Sequence, residues 1–423
     1  MPKRPKKGGD TVAKTIQTMD TVDTVYTAYR TIRTILAVPA LIVLVVFVLI
    51  PGILVGILAL FQPQMLKVST GTPLTQVGDY ESPPDGTLYV TPNHRLVGTV
   101  KLPGTYGMSF IAVPMDGLQP NFDEMQSFFV GDALYCDHLE KDGGYYLLLQ
   151  ERDDVVYRHA DILDWYELLW LDCTDGTMTT VDRMEAAGAP VFLESSDGQI
   201  LLSWQGENSA YINHYDSATR QRTATEPAEV CMSSFSPTPL GNGQYLGFWC
   251  DYGGNFQEES LDVEKYLILS NEQGDLLDSY PLDKGYSVTE TYMVGDRGYA
   301  LLRHKDKPQH RLMTMSLDTE NGKLVDVHCY TLPKIGGAKY TTYNAFVWKE
   351  DEGLQVLFSG PLDWSMGATV LGAATIIDDG DGAPELETYL FQTTDWYGPN
   401  CAFQQDGELF YQFSHWGEIL FFR

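Results

Sequence analysis

Three Asp-Trp pairs come nearest to chemistry in this chain: Asp164-Trp165, Asp363-Trp364 and Asp395-Trp396-Tyr397. Trp416 and Tyr252 fall in the same class of longer loop. A flat ring beside a carboxylate suits a sugar, whose C–H face stacks on the aromatic while the Asp accepts hydroxyl protons. The same residues suit a peptide or protein partner, since Trp and Tyr are frequent interface anchors, and they equally suit packing between sheets. Were Asp164, Asp363 and Asp395 to converge, they would supply the acid and base of a glycan hydrolase or lyase.

Other reactive residue types form no motif. The six cysteines have no C-x-x-C spacing, which removes zinc and dithiol-redox signatures. Cys231 and Cys250 flank one glycine turn and are the candidate disulfide of an exported domain, with small buried thiols as the alternative. The eight histidines stand singly, and no His-Glu-x-x-His, nucleophile elbow or phosphate-binding glycine loop occurs. The most metal-like string is Asp378-Asp379-Gly-Asp381-Gly, followed by Ala383 and Pro384 where further oxygen ligands belong; a hairpin turn is the preferred reading. No catalytic residue and no cofactor is therefore assigned.

Charge divides the chain into parts. Acidic residues outnumber basic ones 57 to 28, for a net of −29, which argues against a nucleic-acid partner. Residues 1–34 nevertheless carry seven Lys/Arg against three Asp, and 35–61 carry no charge at all. A helix of those 27 residues would span about 40 Å, enough to cross a bilayer. The run is long for a signal peptide and no small-x-small cleavage site follows it, so an uncleaved anchor is predicted. Seven cations before the span and only Lys67 close after it place the N-terminus in the cytoplasm and the acidic remainder outside. A Thr-apolar pair recurs at mostly three-residue spacing between Thr15 and Ile35, which reads as a helix for a partner or the inner leaflet, or as a solvated extension of the span.

Residues 62–84, rich in Pro, Thr and Gly, read as a stalk. From 85 to 423 short apolar-aromatic runs alternate with Gly, Asp and Asn turns, an all-β pattern. A glycine turn followed by a strand starts at Asp142, Asp197, Asn242, Asp296, Glu352 and Asp406, at intervals of 55, 45, 54, 56 and 54 residues. A second mark, a strand ending in a polar turn, follows most of these, as in Leu312-Met-Thr-Met-Ser-Leu-Asp-Thr-Glu-Asn-Gly322. A unit of this length with two tight turns is a four-stranded propeller blade. Six marks predict a six-bladed β-propeller, closed by pairing residues 86–101 with the C-terminal strands; seven blades is the alternative.

On these turns the segment 85–423 resembles the broad bacterial β-propeller superfamily. The run Ser316-Leu-Asp-Thr-Glu-Asn-Gly-Lys323 is similar to the Asp-x-x-x-Gly-Lys turns of TolB-like and quinoprotein-type blades. The tryptophan-docking positions of true quinoprotein repeats do not recur, so the resemblance implies architecture and no quinone. The sequence thus predicts a single-pass, N-in protein of a bacterial cell membrane, displaying a binding or scaffolding propeller outside. Its partner would be a surface glycan, peptide or protein, held at the face of the longer loops. A glycan-cleaving enzyme and a transmembrane sensor are the other readings.

Overall fold

The computed structural model describes residues 64–423 except 82–86, 92, 94, 102–106, 152–162, 196, 208, 233–236, 252–262, 319–320, 351, 363–367, 381, 394–397, 407 and 416–417. Residues 1–63 form a separate unit outside the described residues. The predicted cytoplasmic segment and the uncharged run 35–61 therefore lie outside them. Among the described residues no helix is long and apolar enough to cross a membrane.

The described chain is a seven-bladed β-propeller, so the expected count of six is corrected. Blade 1 holds strands 87–90, 95–100, 108–116 and 126–131, and blade 2 holds 134–141, 144–150, 164–172 and 178–186. Blade 3 is 191–194, 200–205, 210–216 and 221–228, and blade 4 is 238–239, 244–251, 264–271 and 276–281. Blade 5 is 286–294, 297–304, 310–318 and 323–331, and blade 6 is 342–349, 353–361, 369–377 and 385–393. Blade 7 takes 398–405, 408–415 and 418–422 from the C-terminus and its fourth strand, 76–81, from the other end of the described chain. Blade 1 escapes the count because its first hairpin turns at 91–94 without glycine, closed by Thr91 N–H on the Arg95 carbonyl at 2.8 Å. Residues 87–100 thus build a blade of their own, and ring closure falls to a strand further upstream.

The expected stalk is also corrected, because its residues find unpaired sheet edges. Strand 64–65 adds in parallel to the outer strand of blade 5, and 67–70 to the outer strand of blade 6. Such edges otherwise present unpaired amides to other chains.

The second and third strands of each blade lie between two neighbouring sheets, so they read as continuous apolar runs rather than alternating ones. Tyr145, Leu147 and Leu149 pack on blade 1, while Tyr146 and Leu148 pack on blade 3. Seven such clusters fill the seven seams, the last joining Phe403, Phe410 and Phe421 of blade 7 to Leu88, Leu96 and Ile111 of blade 1. The fourth strands, solvated outside, are mostly exposed, as in 221–228. Bulges interrupt the first strands of blades 2, 5, 6 and 7 and switch the facing of the residues beyond them.

Candidate functional site

A cleft of ≈ 840 Å³ lies between blades 5 and 6. It opens on the face of the tight hairpins, opposite the longer loops on which the sequence places the site. One wall is the first hairpin of blade 5 (Val294, Asp296, Arg297, Tyr299) with Asp326, His328 and Tyr330 of its outer strand; the other is the hairpin of blade 6 from Asp378 to Ala383.

Its floor is an ion pair across the seam. Arg297 opens the second strand of blade 5, and its Nε donates to Asp378 Oδ2 at 2.9 Å. The side chains are only 17% and 2% exposed. Arg297 also donates to the Thr314 and Ser316 hydroxyls at 3.2 and 3.4 Å. Asp378 further accepts the Tyr299 hydroxyl at 3.2 Å and the Gly380 amide at 3.0 Å. Burial, then the Asp378 charge, pushes the Tyr299 phenol up to about 12. Around this floor Asp296, Asp326, Asp379 and His328 are exposed, so the lining is anionic overall. Asp326 holds a left-handed backbone, φ 52°, at the bulge of the outer strand. A pocket with carboxylates above two tyrosine rings suits an ammonium or guanidinium group, through charge and through the ring faces.

The metal-like string Asp378-Asp379-x-Asp381 is a hairpin turn whose leading carboxylate is consumed by Arg297 and Tyr299. Asp381 lies outside the described residues, and among the described residues no group of three His, Cys, Asp or Glu could hold a metal. Cys231 and Cys250 are not joined in a disulfide in this structure. Cys231 sits in the link between blades 3 and 4, where its Sγ meets Ser203 Oγ at 3.8 Å and the Met232 carbonyl at 3.3 Å; burial pushes its pKa up to about 12.

Of the predicted aromatic rim only Asp164 and Trp165 are described; Tyr252, Asp363, Trp364, Asp395, Trp396, Tyr397 and Trp416 lie outside the described residues. Trp165 is 42% exposed, but the Arg183 guanidinium covers one ring face at 4.6 Å. Asp164 accepts Gln150 Nε2 at 2.8 Å. The residues sequence reasoning missed are Arg297, Tyr299, His328 and Tyr330. The available signal was a charged Arg297 placed directly before the apolar run Gly298–Leu302.

Among the carboxylates and histidines, strong shifts lie in strands away from the cleft. Burial raises Glu290 to about 8, opposed by the Phe346 amide donating to it at 2.6 Å. Burial raises Asp137 to about 6 and lowers His138 to about 4.

Seven four-stranded sheets closed into a ring define the class, a β-propeller. No protein-family model matches the chain, and no curated protein matches it. Solved structures with some likeness include hydrazine synthase of Kuenenia stuttgartiensis, 9% identical over 64% of this chain and 70% of that one, TM-score 0.41. The Dos1 propeller is 11% identical over 82% and 94%, TM-score 0.45. A structure from work on two prolyl endopeptidases is 12% identical over 67% and 38%, TM-score 0.39. The propeller assignment rests on the chain's own sheets.

Proposed function

We propose that this chain is a non-catalytic binding module whose propeller takes a cationic segment of a peptide or protein partner in the blade 5–6 cleft. The observation that carries this reading is the pairing of a ≈ 840 Å³ cleft with exposed Asp296, Asp326 and Asp379 over Tyr299 and Tyr330. Its place is outside a cell membrane, held by residues 35–61 with the N-terminus inside; the uncharged run and the cationic residues before it support this part. Exposed Trp165 beside Asp164 keeps a surface glycan as a second class of ligand.

The test is binding of the full-length chain to oligolysine, oligoarginine and a Gly-Ser peptide at two salt concentrations. Neutralising the cleft (Asp296→Asn, Asp326→Asn, Asp379→Asn) weakens binding of the cationic peptides by about tenfold. A control neutralising exposed Asp116, Asp306 and Glu350 has a much smaller effect. Equal losses in both triple variants mean that only the overall negative charge attracts the peptide, and the reading fails.

A further inference from the structure

Strands 64–65 and 67–70 differ in kind from 76–81. Blades 5 and 6 each possess four strands without them, whereas 76–81 is the fourth strand of blade 7. The two extra strands therefore lie on finished sheets, both in parallel register, the weaker pairing per residue. Met65, at 63%, and residues 67–70 are exposed. The exception is Leu66, at 3%. It enters the cluster that holds Tyr299 and Tyr330 of blade 5 and Leu386 of blade 6. The run thus crosses from one outer edge to the next over the seam that contains the cleft. Tyr330 joins all three features: its main chain pairs with Gln64, its side chain lines the cleft, and its hydroxyl donates to the Gly382 carbonyl at 3.4 Å.

We propose that residues 64–71 are a releasable strap that sets how tightly blades 5 and 6 close on the cleft. With the strap docked, Leu66 fills the outer end of the seam behind Tyr299 and Tyr330. Release withdraws that side chain and loosens the seam, while strand 76–81 keeps the ring closed. Short edge strands with few buried contacts open locally without global unfolding. Any ligand that needs the closed cleft favours the docked strap, and any pull on the strap opens the cleft. The device goes beyond the nature of the cleft's ligand and is tested without one.

Hydrogen exchange read by mass spectrometry on the full-length chain provides the test. The Leu66 and Gly71 amides donate to Thr331 and Thr388 carbonyls at 3.1 and 2.7 Å. In Leu66→Ala these amides exchange about tenfold faster or more, because the anchor is truncated. Segments 297–300, 326–330 and 378–386 speed up with them, and the blade 2–3 seam keeps its rates. A disulfide in Lys67→Cys/Glu385→Cys, placed at paired positions, slows the same segments below wild type. Strap amides that speed up while the cleft segments keep their rates overturn the proposal. So does wild-type strap exchange that occurs only with global unfolding. If Leu66→Ala loosens every seam alike, the oxidised cysteine pair decides, and no slowing at the cleft overturns it.

Discussion

Glu290 is a carboxylate whose surroundings depart far from what its type predicts. A bulge at Thr289 turns it and Tyr292 toward blade 6, where the Phe346 amide donates to its carboxylate. Its folded pKa of about 8 exceeds the ordinary 4.5, so the folded state holds the proton more tightly. The resulting stabilisation is complete below pH 4.5 and is lost as pH rises toward 8, a change on the order of a few kcal/mol. Glu290→Gln keeps an acceptor for Phe346 and removes the proton. Its denaturant midpoint should vary much less than wild type's between those pH values and exceed wild type's at pH 8.5. The Arg297–Asp378 pair argues in the opposite direction. Asp378→Ala leaves a guanidinium in the cleft floor and should cost about 3–5 kcal/mol in urea unfolding, part of it restored by adding Arg297→Met. Neither role is legible in the sequence: Glu290 needs the bulge, and Asp378 needs a partner 81 residues away. What the sequence does show, the carboxylate spacing from Asp378, reads first as a hairpin turn and does not reveal that Asp378 accepts from Arg297 and Tyr299.

At the scale of elements, the glycine turns were legible because they answer to backbone geometry alone. Gly176, Gly274, Gly322 and Gly380 hold φ of 73°, 78°, 61° and 82° in the outer hairpins of blades 2, 4, 5 and 6, a region glycine enters without strain. Blade 3 puts Arg220 there, φ 58°, with its guanidinium 4.2 Å over Trp170 of blade 2. A glycine search therefore passes over that turn, although the hairpin forms. The turns also differ in what surrounds them. A Cβ on Gly322 would meet nothing closer than Leu277 at 3.9 Å, whereas one on Gly274 would lie 2.5 Å from Ala228 Cβ and 3.1 Å from Ile212. Gly322→Ala should cost about 1 kcal/mol, the backbone strain alone. Gly274→Ala should cost at least twice as much and loosen the blade 3–4 seam, as thermal unfolding of the two variants side by side would show. The longer loops carrying Asp363 and Trp364 repeat no such local rule, so the sequence could nominate them but not position them.

The whole molecule depends on closure, and closure is the feature that sequence periodicity recovers least. Fifty-residue spacing reports each blade's internal hairpins, while the strand completing the last blade obeys no period and hides among the Pro, Thr and Gly of 62–84. Its register is nonetheless specific: Asp79 pairs with Leu420 and Tyr80 with Ile419, and beyond the strand Thr75 and Arg423 exchange both main-chain hydrogen bonds at 3.0 and 2.9 Å. Tyr80 packs at a tilt against Phe421, ring centroids 5.7 Å apart, within the seam cluster that joins blade 7 to blade 1. A fragment beginning at residue 74 retains all of this and loses only the two extra strands, so it should unfold in one cooperative transition. A fragment beginning at 83 leaves strand 418–422 as an exposed edge bearing Ile419, Leu420, Phe421 and Phe422, all buried in the intact ring. These side chains keep their packing on blades 1 and 6, but the strand loses its main-chain partner and Phe421 loses the Tyr80 ring. The shorter fragment should therefore aggregate or exchange strands between copies. Light scattering and denaturant unfolding of the two fragments distinguish the outcomes, and a monomeric, cooperative 83–423 fragment would show that seven blades hold together without the strand that closes them.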